Sequence, residues 1–118
     1  FGVNTLGYGD MISYDDFAKL EIRIGEIKTV DVVEDADKLL RLTVDFGEEA
    51  PRQIISGIRT YFEDPQWLVG KKCPFLTNLE PRMIRGFESQ GMILAASHEE
   101  TLGLLFPHQD LPVGTKIK

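Results

Sequence analysis

Residues 78–97 read NLEPRMIRGFESQGMILAAS. Asn, Pro, two Arg, Gly and Ser crowd ahead of the apolar run Met92–Leu94, whereas a plain turn into a strand needs only Gly, Asn or Pro. The stretch therefore opens a strand and loads its approach with hydrogen-bonding and positively charged side chains. Upstream, KKCPFLTNL (71–79), RQIISGI (52–58) and LLRLTVDFG (39–47) each read as a strand. In the last of these, Leu40, Leu42, Val44 and Phe46 share one face. From Leu20 a period of two sets Leu20, Ile22 and Ile24 against Glu21, Arg23 and Gly25, and runs on through IKTVDVV (27–33). This predicts a half-buried strand.

The remaining elements are short. SYDDFAKL (13–20) carries a helix-start signal, with Ser13 as N-cap and Asp16 three residues on. DPQWLVG (64–70) suits one helical turn, with Pro65 near its start and Gly70 after its end. LGLLFP (102–107) and GTKIK (114–118) predict short C-terminal strands. Many short strands with Gly and Pro turns give an all-β class, and the patterning fits a small barrel and a sandwich alike.

The chain has 118 residues, enough for one domain. No apolar run approaches the ~20 residues that a membrane span needs, so no membrane partner is expected and the reading is soluble and cytoplasmic. The single cysteine, Cys73, excludes an internal disulfide and a Cys-rich zinc site. A net charge of −6 argues against a polyanion partner, but the acid is unevenly placed. Residues 1–64 hold 14 acidic and seven basic side chains, whereas residues 65–118 hold five and six.

Chemistry for catalysis is scarce. There is no P-loop, G-x-S-x-G or G-x-G-x-x-G spacing. His98 and His108 lie ten apart in loop-like segments without a paired ligand, so neither a metal nor a cofactor is expected. Helix capping and turn formation account for the acidic pairs. A binding module is favoured over an enzyme.

Taken in order, FAKLEIRIGEI, DADKLLRLTVDFG, IISGIR, the stretch 68–97 and PVGTKIK closely resemble the tRNA-binding domain of many bacterial methionyl-tRNA synthetases. The same domain forms free-standing dimeric tRNA-binding proteins, endothelial-monocyte-activating-polypeptide-like cofactors and the CsaA chaperones. The resemblance implies a five-stranded OB-fold barrel over residues 12–118, with a short N-terminal helix and a C-terminal dimerisation extension. Residues 1–11 are expected to be a linker or an added remnant. It further implies non-catalytic, structure-tolerant binding of tRNA by a homodimer, attached to methionyl-tRNA synthetase or acting on it in trans. The alternative is a CsaA-like export chaperone that binds unfolded polypeptide.

Carried over by motif, the RNA-binding face comprises Lys38, Ser56, Asn78, Arg82, Arg85, Ser89 and Met92, with Arg41 and Arg59 adjoining. The arginines can fork onto phosphate or lie flat against a base. Asn78 and Ser89 can bond base edges, and Met92 offers an adaptable apolar contact. The plainer reading makes Asn78 and Ser89 turn residues, Met92 a core residue and both arginines solvated. Glu80 and Met83 stand where the family often has basic residues, which implies weaker and less salt-dependent binding.

Overall fold

Ser13 caps the first element as its spacing to Asp16 requires. In a computed structural model, which describes residues 9–118, the Asp16 amide donates to Ser13 Oγ and the Ser13 amide donates back to Asp16 Oδ2. This reciprocal capping box starts helix α1, Tyr14–Ala18. Of the expected linker, residues 1–8 lie outside the described part, and Gly9–Met11 are exposed without regular structure.

Nine strands follow among the described residues: β1 Ile22–Val32, β2 Leu40–Asp45, β3 Arg52–Ser56, β4 Lys72–Leu76, β5 Arg82–Ile84, β6 Phe87–Ser89, β7 Met92–Ile93, β8 Ala95–His98 and β9 Thr101–Leu104. Two 3-10 turns, Arg59–Tyr61 and Pro65–Leu68, bridge β3 and β4, the second capped by Asp64. Antiparallel pairing gives the order β3-β2-β1-β4-β7. The sheet curls until β3 meets the segment around β7, which is the five-stranded OB-like barrel that the resemblance implies.

Closure does not use a regular ladder. The Gln90 amide donates to the Gln53 carbonyl (2.8 Å), while the Gln53 amide donates to the Gln90 side chain (2.9 Å) and the Ile55 amide to Ser89 Oγ (3.0 Å). Side chains thus satisfy the outer donors of β3, which would otherwise be an open edge.

The interior holds Ile27, Val30, Leu40, Leu42, Val44, Phe46, Ile54, Phe75 and Ile93. A bulge between Ile27 and Thr29 resets the phase of β1, so burial passes from Gly25 and Ile27 to Val30. Gly25 rather than its apolar neighbours faces the interior at that level, because a Cβ there would lie 2.5 Å from the Phe46 ring. Ile22 and Ile24, which the period of two grouped with a buried face, point outward. Ile24 is nevertheless buried, since the C-terminal segment crosses it: the Gly114 amide donates to the Ile24 carbonyl (2.7 Å) and the Ile24 amide to the Thr115 carbonyl (2.9 Å). The expected strand over 114–118 reduces to one bridge, Arg23 with Lys116. Cys73 is fully buried, and that burial pushes its thiol up to about 11, as suits an inert core residue.

Candidate nucleic-acid interface

The stretch 78–97 folds as three pieces. Asn78 faces back into the domain, its Oδ1 accepting from the Glu21 amide (2.9 Å) and its Nδ2 donating to the Lys19 carbonyl (2.7 Å). It pins the end of α1 against the end of β4. Next comes a hairpin that the alternation did not predict, β5 and β6 in the register Arg82–Ser89, Met83–Glu88 and Ile84–Phe87. Its two-residue turn is Arg85-Gly86, both at positive φ (52° and 86°). That is the backbone of the tight turn that matches strand twist, and it sets the Arg85 side chain at the hairpin tip. The third piece is the closing segment Ser89–Gln90 and β7.

Two clefts flank the hairpin, and Ile84 borders both. One, of about 230 Å³, is lined by Ser56, Leu79, Glu80, Arg82, Ser89 and Met92 among others. The second, wider and about 500 Å³, runs from Asp35 to Leu39 and reaches Arg85. The fold therefore gathers Ser56, Arg82, Ser89 and Met92 from three segments, and sets Lys38 beside Arg85. The Arg59 backbone is tied to the same segment, its amide donating to the Lys38 carbonyl (3.2 Å), but its side chain lines a separate cleft with Asp37 and Glu63.

The expected residues differ in what they have left to offer. Of the 13 basic side chains, Lys38, Arg59, Arg82 and Arg85 are four of the six without an ion-pair partner among the described residues. Arg41 lies against the hairpin too, but paired: it is 3.5 Å from Asp31 and stacked 5.0 Å from the centre of the Phe87 ring of β6. Ser89 is only 5% exposed; its hydroxyl accepts from Ile55 and donates to the Gly91 carbonyl (3.1 Å). Asn78 and Ser89 thus make hydrogen bonds within the fold, and neither is the turn residue of the plainer reading: Asn78 follows β4 and Ser89 ends β6. Met92 is 45% exposed at the cleft rim and not a core residue.

Sequence reasoning passed over Gln53, Gln90 and Leu79, and read Glu80 only as a missing positive charge. The glutamines seal the barrel, and Leu79 and Glu80 form cleft wall. Only position beside the hairpin motif could have marked them. The cations of the face are matched by Asp35, Asp37 and Glu80 in the clefts, so charge alone does not define the surface.

The family model described as "Putative tRNA binding domain" matches residues 22–116, nearly the whole chain. The chain belongs to this tRNA-binding domain family. It is 50% identical over 109 residues to a methionine–tRNA ligase of Deinococcus radiodurans, covering 92% of this chain but 16% of that protein. The domain thus spans about one sixth of the length of the curated relatives it matches. Among solved structures it is similar to a methionyl-tRNA synthetase-related protein of Pyrococcus horikoshii, with TM-score 0.85 and 34% identity over 93% of this chain and all of that one. It is also similar to the CsaA chaperone of Bacillus anthracis, with TM-score 0.82 and 30% identity over 92% of this chain and all of the other.

The hydrogen bonds of Ser89 carry a test of their own. Ser89→Ala is expected to cost about 1–3 kcal/mol, because the buried Ile55 amide loses its acceptor. Urea denaturation measures this. A variant with parental stability but weaker RNA binding would return Ser89 to the binding surface.

Proposed function

We propose that the domain binds tRNA without catalysing a reaction on it, in the cytoplasm, as an appendage of methionyl-tRNA synthetase or a partner in trans. One observation carries the reading: Lys38, Arg82 and Arg85 line the two clefts beside the hairpin without an ion-pair partner among the described residues, while most other cations are neutralised by carboxylates. Cations held free at the mouth of an OB-like barrel suit phosphate, and the clefts between them suit unstacked nucleotides. Recognition through backbone and loop nucleotides tolerates sequence changes elsewhere in the RNA. Bulk tRNA titrated across a salt series tests it. Three to four neutralised phosphates give a slope of log affinity against log salt of about −2 to −3, and absence of binding at low salt overturns the reading.

The homodimer belongs to the same proposal. All of β8 is exposed, although Leu102 and Leu104 of its partner β9 pack against the core. Leu105 and Phe106 stand 47% and 48% exposed beside an apolar cleft of about 320 Å³ formed with Ile24, Pro74, Leu111 and Ile117. A symmetric contact through this extension would cover both. Light scattering is expected to show two chains at roughly micromolar concentration, and Phe106→Asp to give single chains of parental fold. A parent that scatters as one chain defeats the dimer.

The same apolar cleft, with the likeness to CsaA, favours a second reading as a chaperone for unfolded polypeptide. Capture of a denatured protein that tRNA does not displace would support it over the first.

A further inference from the structure

We propose that the cleft beside the hairpin reads a guanine base, and that the Glu80 carboxylate does the reading. This deepens the RNA-binding proposal and rests on it. The cleft holds about 230 Å³, below the roughly 300–1,000 Å³ of sites for drug-sized ligands. It has room for one nucleobase. Leu79, Ile84 and Met92 give it apolar walls, and its two ionised side chains are Arg82 and Glu80.

A surface meant only to attract phosphate has no use for Glu80. The side chain is exposed and has no ion-pair partner among the described residues. An ionised carboxylate only accepts hydrogen bonds, so a ligand that uses it must bring donors. Among the bases, guanine alone offers two adjacent donors on its Watson–Crick edge, the N1–H and the exocyclic amino group. Adenine and cytosine place one amino donor next to a ring acceptor, and uracil places one N–H between two carbonyl oxygens. Each of those sets an acceptor against the carboxylate, whereas guanine meets both oxygens with donors. Arg82 in the same cleft can hold the phosphate of that nucleotide, which offsets the cost of bringing an anion near Glu80. The RNA class is one that exposes guanine in a loop, where the edge is free of pairing.

The test uses the 118-residue protein and hairpin RNAs whose uridine loops carry one central guanosine, inosine, adenosine or cytidine. Inosine keeps the N1–H and lacks the amino group. The guanosine loop is expected to bind about tenfold more tightly than the inosine loop, the effect of one hydrogen bond to a charged group. In Glu80→Gln, whose amide offers one acceptor and one donor, the guanosine loop is expected to lose affinity until that ratio falls to near one. Loss of a negative charge alone would raise affinity for all four loops equally and leave the ratio intact. Equal binding of the four loops by the parent, no measurable binding of any loop while bulk tRNA binds, or a retained ratio in Glu80→Gln overturns the guanine reading and leaves tRNA binding standing. If bulk tRNA also fails to bind, the RNA-binding proposal falls instead.

Discussion

An Arg82→Ala, Arg85→Ala double variant is expected to bind bulk tRNA about a hundredfold more weakly than the parent at low salt. Hydrogen bonds to a charged group are worth roughly 1.5–3 kcal/mol each, so each guanidinium accounts for a factor of ten or more. Neither arginine has an ion-pair partner to release among the described residues, and both are exposed. The slope of log affinity against log salt should flatten by about 0.7 for each phosphate that is no longer neutralised, hence by about 1.4 in the double variant. Folding should be spared, since exposed substitutions of this kind stay within ~0.5 kcal/mol. At Arg85 the turn's positive φ burdens arginine and alanine alike, so the exchange leaves backbone strain unchanged. A folded double variant that binds tRNA as the parent does would make the hairpin a structural turn and move the site elsewhere.

Phe75→Ala is expected to cost about 3–5 kcal/mol, the range for deleting a buried aromatic ring. Phe75 is wholly buried in β4 and meets the Phe46 ring edge-on at 5.3 Å. Such a pair adds roughly 0.5–1.5 kcal/mol beyond the area it buries. The strands around it are tied to one another on both sides, which limits collapse into the void. Against a total of about 5–15 kcal/mol for a domain, the variant should melt roughly 10–20 °C lower. Urea denaturation gives the free energy directly. A loss below about 1 kcal/mol would mean that the ring is not central to the barrel.

Legibility followed the range of the interaction that places each residue. The Ser13–Asp16 cap was readable because both partners lie within one helical turn. Leu40, Leu42 and Val44 were readable because a strand's own alternation puts them on one face. The same rule misplaced Ile22 and Ile24. Both faces of β1 are covered there, one by the barrel interior and the other by residues 114–117, so apolar periodicity marked the outer cover as the core. The hairpin 82–89 escaped notice because its strands are only three residues each, too short to show an alternation, and Arg-Gly is not among the favoured two-residue turns.

The site divides in the same way. The order and spacing of motifs along the chain determined the family and the barrel class. Residue type could not settle which polar groups face a ligand. Asn78 answers to a backbone amide 57 residues away and Ser89 to one 34 residues away, while Arg41 is taken up by Asp31 and Phe87. A hydroxyl or amide bonds whatever donor or acceptor lies within about 3 Å, and only closure of the barrel brings those partners together. Local pattern thus determined the elements and the family to which they belong, and tertiary contact decided which of the singled-out residues are spent holding the fold and which are left for a ligand.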